Sequence, residues 1–348
     1  MIFFISLSNA IFGQWGYNGV VNSIDISKGL NWIMKRQLIV TLETVTPMFL
    51  AGADPTKPEL RAPSIVGELR YWLRAALGGV LGDNLDTLKQ AEAEVFGDTN
   101  GTGAVSVRIP YVELKTDRWN PLPHKDKMSK FEGFKEGQRF DICLTQRDGN
   151  DNTWLAAISA LLLMVSIGGL GRRCRRGWGT VRIVRCNFSQ ANLDEGWQEI
   201  LNFRPNSDKA WNNYLRYVLQ ATQIGIEKLS EQFGKRQSIS LPTAYTITLS
   251  EYPIPLFVLK LYSNYTEAIT DFGQIEHTCL GSGQLPVPSV GYVNPTRQAS
   301  PLWIRVLPIG KSQYILLATL FNVNFKGSDY QAVKKFLTNQ ANFKEIPL

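Results

Sequence analysis

Histidine is almost missing from this chain: its 348 residues include only His124 and His277. That scarcity removes most of the usual supply of general bases and imidazole ligands, so no catalytic residue and no metal site are assigned. Cysteine is scarce as well. Cys143, Cys174, Cys186 and Cys279 form no Cys-x-x-Cys pair, which argues against a disulfide framework and a zinc knuckle and fits a reducing cytoplasm. No membrane partner is expected, because the apolar opening "MIFFISL" is too short to span a bilayer and lacks the basic segment of a secretory signal. Nucleotide cofactors are not expected either. "GRRCRRGWGT" lacks the lysine of a P-loop and runs into a strand, and no Gly-x-Gly-x-x-Gly joins a strand to a helix.

One further absence is local. From Gly168 to Cys186 there is no acidic residue, while Arg172, Arg173, Arg175, Arg176, Arg182 and Arg185 all fall there. The net charge of +7 is therefore largely concentrated in one segment, the footprint of an anion site. Its centre is "GGLGRRCRRGWGTV" (168–181), where glycines surround four of those arginines.

The hydrophobic patterning reads as α+β. "QLIVTLETVTPMFL" (37–50) alternates as a strand, and "AGADPTKPELRAP" follows as a loop. A helix then begins with Ser64 as N-cap and buries Ile65, Leu69, Trp72, Leu73 and Ala76, with Arg70 and Arg74 on its flank facing one groove. "GAVSVRIPYVEL" and "QRFDICLTQ" read as strands, "TWLAAISALLLMVSIGGL" as a buried helix and "WGTVRIVRCNF" as a strand. Strand, helix, strand, strand, helix, strand is the order of a ferredoxin-like domain. After "RPNSDKA" a long helix carries Trp211, Leu215, Val218, Thr222 and Leu229 on one side. Strand-like runs at "TAYTITL", "PLFVLKLY", "SPLWIRVLPI" and "QYILLATLFNV" and a last helix at "SDYQAVKKFLTNQ" allow a second, degenerate copy of the same fold. The expected division is an extension over 1–33 preceding a natural start at Met34, a first module over 34–200, and a second over 201–348.

In such a fold the loop after the first strand, the start of the first helix and the loop before the last strand can share one side. Glycines let backbone N–H groups approach a phosphate, a helix N-terminus adds partial positive charge, and arginines donate bidentately. The expected phosphate-backbone contacts are Ser64, Gly168, Gly169, Gly171, Arg172, Arg173, Arg175, Arg176, Gly177 and Trp178, with Asp54 and Lys57 in the loop after the first strand. Trp178, between two glycines, is the candidate stacking platform; Trp72 is expected in the core. Asp54 precedes a proline and reads equally as a turn aspartate.

Four stretches together resemble a known family. "TPMFLAGADPTKPELRAPSIVGELRYWLRAALGG", "AEAEVFG", "GGLGRRCRRGWG" and "RQASPLWIRV" look like the RAMP superfamily, and within it the first-numbered RAMP subunit of type III-B (Cmr) CRISPR effector complexes. The resemblance implies two ferredoxin-like RAMP modules in a cytoplasmic CRISPR ribonucleoprotein, with guide RNA, target RNA and other RAMP subunits as partners. It also implies that these phosphate-contact residues, joined by Arg61, Arg70 and Arg74 of "ELRAPSIVGELRYWLR", contact RNA, either the 3′ part of the guide or the target, with Asp54 and Lys57 in an RNA-facing loop and without catalysis. The alternative is a free-standing metal-independent endoribonuclease of the guide-processing RAMP type. In that type the glycine-rich loop lies near the C-terminus, whereas here the whole stretch from Arg182 to Leu348 follows it.

Overall fold

The computed structural model describes residues 36–82, 84–125, 128–148, 150–234, 256–291, 299–310, 312–321 and 329–346. The expectations for 1–33 and for a strand at "TAYTITL" lie outside the described residues.

The first sheet is built on β1 (Gln37–Thr44), whose alternation buries Leu38, Val40 and Leu42 on one face. It is flanked by β5 (Arg139–Gln146) and β6 (Val181–Gln190), and β2 (Val105–Arg108) lies outside β5, so the order is β2-β5-β1-β6 with every pair antiparallel. The strand expected at "GAVSVRIPYVEL" stops at Arg108. Pro110, two residues on, has no N–H for a ladder. The charged stretch that followed hides a small hairpin, β3 (Thr116–Trp119) with β4 (Phe131–Phe134).

Helices α1 (Ala62–Leu81) and α3 (Asp151–Ser166) share a core with the buried face of β1, and α2 (Leu85–Phe96) packs beside α1. The expected N-cap is corrected here. Pro63 occupies the first turn, where its missing N–H costs nothing, so the helix begins before Ser64 and Arg61 stands at the cap position. The Ser64 hydroxyl instead accepts from Arg61 Nε at 3.3 Å.

After α4 (Glu195–Asn202), the long α5 (Asp208–Ser230) starts at Ser207, whose hydroxyl accepts from Ala210 N. Its apolar stripe joins the core of the first sheet, against α3 and α1. The approach to α3 is close: a Cβ on Gly225 would lie 2.5 Å from Ser159 Oγ.

The second sheet comprises β7 (Leu256–Tyr262), β8 (Leu302–Pro308), β9 (Tyr314–Leu320) and β10 (Lys344–Ile346) in the antiparallel order β10-β7-β9-β8. Helices α6 (Tyr265–Gly281) and the short α7 (Val287–Val290) lie between β7 and β8. Helix α8 (Tyr330–Lys335), extended by a π turn over Phe336–Gln340, lies between β9 and β10. This order repeats that of the first sheet strand for strand.

Strands β8 and β9 are buried on both faces, which is why they read as continuous apolar runs. Leu302, Ile304 and Val306 pack with Ile269, Phe272 and Phe336, while Trp303 and Leu307 join the core of the first half. Between those two sits Arg305, 1 % exposed, donating to Val181 O at 2.8 Å. With no carboxylate paired to it among the described residues, burial pushes its guanidinium down to about 9.

Candidate nucleic-acid interface

The glycine-rich loop crosses from α3 to β6 between two other backbones. On one side Arg172 N donates to Phe49 O at 2.8 Å and Gly179 N to Pro47 O at 2.9 Å, pinning it to the loop after β1. On the other, Ile304 N donates to Arg175 O at 3.2 Å, tying it to β8. Thr46 closes the inner side, its hydroxyl donating to Gly177 O at 2.8 Å and accepting from Thr180 N at 3.0 Å.

The glycines answer to this crowding. Gly171 sits at φ +84°, where a Cβ would come 2.5 Å from Phe49 O, and Gly179 at φ +64°, where it would come 1.9 Å from Leu170 O. Both positions need a residue with no side chain in a left-handed conformation. Gly168, Gly169 and Gly177 are buried. The glycines thus fit the loop into the protein, and the expectation that they open its backbone to a phosphate is corrected for these buried members.

The arginines divide. Arg175 and Arg176 turn inward toward the second half. Arg175 donates to Ser300 O and lies over two rings, 4.7 Å from the Trp303 centroid and 5.4 Å from that of Tyr71. Arg176 pairs with Glu276 at 2.8 Å and donates to Leu302 O, Ser300 Oγ and Val290 O. Arg172 points out, exposed, 5.8 Å above the Phe131 ring, and makes no ion pair among the described residues. Arg173 is half-buried at φ +64°, with Nε unpartnered among the described residues.

Trp178 is corrected as a stacking platform. It is 1 % exposed, 5.0 Å from the Phe49 ring, and donates its indole N–H to Pro121 O at 3.2 Å, leaving no open face for a base. Trp72, as expected, is in the core, 5.0 Å from Trp303.

Arg70 and Arg74 do not open onto a common groove. Arg74 bonds Glu92 of α2 through Nε at 2.8 Å, and Arg70 donates to Phe96 O and Gly97 O, so both fasten "AEAEVFG" to α1. Asp54 and Lys57 lie in an exposed turn above the Ala51–Pro58 bridge. Asp54 accepts from Thr56 N at 2.9 Å and from the Thr56 hydroxyl at 2.5 Å, which holds its carboxyl below the usual range. Arg61 remains half-buried at the head of α1.

Several groups lay outside the expected set of contacts. On the outer face of the first sheet, Glu43 is clasped by Arg139 and Arg182, and Arg185 and Arg108 are exposed nearby. Cross-strand register revealed them, through the pairing of Glu43 with both arginines. Helix α6 was missed because its stretch is mostly polar and contains glycine. Its signal was Asn264-x-x-Glu267: Asn264 accepts from Glu267 N at 2.8 Å, and Glu267 reaches back to Ser263 N at 3.2 Å.

Glu68, on α1, faces the glycine-rich loop, and burial pushes its carboxyl up from 4.5 to about 7 against the opposing charge of Arg175. Folded protein therefore holds a proton there that unfolded chain releases near 4.5, so stability is expected to fall as pH rises from 4.5 to about 7 and to level off above. Glu68→Gln should remove that dependence and stabilise the protein by about 2–3 kcal/mol at pH 8 in urea titrations. An unchanged pH profile would refute it.

The family model described as the RAMP superfamily matches residues 41–182, from β1 through the glycine-rich loop. A Pyrococcus furiosus protein named CRISPR system Cmr subunit Cmr1-2 is 30 % identical over 179 residues, 42 % of this chain and 95 % of that protein. A second from the same organism, CRISPR system Cmr subunit Cmr1-1, is 28 % identical over 291 residues, covering 77 % and 82 % of the two chains. The fold also matches a chain in the cryo-EM structure of the type III-B Cmr-beta complex bound to cognate target RNA and AMPPnP. There the TM-score is 0.64 at 12 % identity, over 87 % of this chain and 98 % of that one. The chain belongs to the RAMP superfamily, as a relative of Cmr1 subunits of type III-B CRISPR systems. All four cysteines are free, and no described helix is long and apolar enough to cross a membrane.

Proposed function

We propose that this protein is an RNA-binding subunit of a type III-B CRISPR effector ribonucleoprotein, acting in the cytoplasm beside other RAMP subunits and without catalysis of its own. The observation that carries the reading is the division of the loop arginines. Arg175 and Arg176 anchor the loop from within, so that Arg172 and Arg173 are held on a rigid base rather than on a mobile tail. A cation held this way binds phosphate with less ordering cost. Contact with target RNA fits the cryo-EM neighbour, which is bound to cognate target RNA, and contact with the 3′ part of the guide is what the family resemblance implies.

Two ferredoxin-like modules are part of the same reading, supported by the identical strand order of the two sheets. Their boundary is best drawn after α5, whose stripe packs into the first core, rather than between residues 200 and 201. Catalysis is left to other subunits because Asp54 is an exposed turn carboxylate bonded to its own neighbour.

The test is the salt dependence of single-stranded RNA binding. Arg172→Ala is expected to weaken binding to every RNA sequence alike and to flatten the slope of log K against log salt by about 0.7. A full slope in a folded Arg172→Ala protein would remove the loop from the RNA interface.

A further inference from the structure

The two histidines of the chain meet. His124 comes from the connection between β3 and β4 and His277 from α6, yet their ring centroids are 5.8 Å apart at an interplanar angle of 45°. Gly273, one turn before His277, permits this. A Cβ there would lie 2.2 Å from His124 Nδ1, so only glycine lets the hairpin connection come down on the helix. The third neighbour is Arg173, from the glycine-rich loop, whose charge acts on His124.

We infer that His124, His277 and Arg173 form a phosphate site at the seam between the two halves, which takes up a proton when it receives a backbone phosphate of bound RNA. This rests on the RNA-binding reading above.

Three observations support it. First, two donor-capable atoms at the seam are buried and unpartnered among the described residues, Arg173 Nε and His124 Nδ1. Second, the charge balance is one-sided. His124 is faced by Lys125 from its own segment, by Arg173 from the loop, and by His277 and Glu276 from α6; Arg173 is faced by Arg176 and Glu276. The single carboxylate, Glu276, is already held by Arg176 at 2.8 Å. Third, Arg173 occupies a left-handed conformation in a loop that elsewhere gives such positions to glycine. A side chain kept there at a cost in backbone strain has a use that glycine lacks.

The proton follows from the same geometry. Burial, then the charges of Lys125, His277 and Arg173, hold the His124 imidazole below the usual histidine range, against the pull of Glu276. A phosphate among these groups reverses the local field and favours the imidazolium. Free protein thus has the lower His124 pKa and bound protein the higher, so affinity rises as pH falls through the bound value and levels off below the free one. Among the described residues no three His, Cys, Asp or Glu side chains converge, whereas the cationic groups named above suit an anion.

The experiment follows binding of a labelled single-stranded RNA to the full chain from pH 8 to pH 5.5 at constant ionic strength. Wild-type affinity is expected to climb on acidification, approaching tenfold per pH unit where one proton is taken up. His277→Gln, an exposed position, and His124→Gln should each flatten the rise on acidification. Arg172→Ala should lower affinity at every pH and keep the rise. With only two histidines present, their ring proton resonances can be followed directly, and that of His124 should titrate at higher pH once RNA is added. Salt-dependent RNA binding with no pH dependence, or a pH dependence that survives both histidine variants, overturns the proton-linked site and leaves the RNA-binding reading standing. Absence of RNA binding at every pH overturns both. Histidine-dependent cleavage of the RNA would make the pair an acid–base centre, and pH-dependent binding of an acidic peptide in place of RNA would make the seam a protein contact; each also overturns the inference.

Discussion

Arg176→Ala is expected to loosen the whole molecule, with unfolding free energy reduced by about 3–5 kcal/mol. The side chain is only 18 % exposed and its partner Glu276 only 12 %, so truncation leaves a largely dry carboxylate without its cation. It also strips donors from Leu302 O at 3.1 Å and Val290 O at 3.3 Å, both in the second half. The variant should show a lower urea midpoint, while the folded fraction keeps the wild-type salt slope for RNA. Arg176→Lys should recover part of the loss, because an ammonium restores the charge but cannot reproduce the guanidinium fork. A variant within about 1 kcal/mol of wild type would mean that this arginine does not join the halves.

Trp178→Ala should cost a similar amount, about 3–5 kcal/mol, by opening a cavity where hairpin, loop and second half meet. The indole packs against Phe49, with Phe131 5.7 Å and Trp119 6.3 Å from the Phe49 ring. Trp178→Phe keeps most of the bulk and loses the hydrogen bond to Pro121 O, so a smaller loss of about 1–2 kcal/mol is expected. Thermal and urea unfolding read both. If Trp178→Ala folded as tightly as wild type and bound RNA more weakly, the indole would be a base platform after all.

These two residues mark the limit of what patterns could disclose. Sequence reading placed all four loop arginines in one binding set and could not say which of them turn inward, because adjacency in sequence is all it can see. Alternation and helical periodicity located β1, β5, β6, α1 and α5 through the faces they bury, and α3 showed as a continuous apolar run because it is buried nearly all round. They missed α6, whose polar stretch shows its helix only through the cap at Asn264, and the β3–β4 hairpin, whose strands are four residues each. They also assigned α5 to the second module, because an amphipathic stripe shows that a helix is covered and not by what.

By itself the sequence determined the α+β class, the first strand–helix series, the concentration of arginine in one loop and the family resemblance. All of these are properties of local order and composition. Only the tertiary structure decided what the arginines do. Neighbouring side chains in an irregular loop diverge, so Arg175 and Arg176 went to Ser300 and Glu276, more than 90 residues away, while Arg172 went to solvent. The meeting of His124 with His277 was decided in the same way, by a glycine on a helix that no periodicity announced. Contacts between segments this far apart are set by packing, and packing leaves no period in the chain.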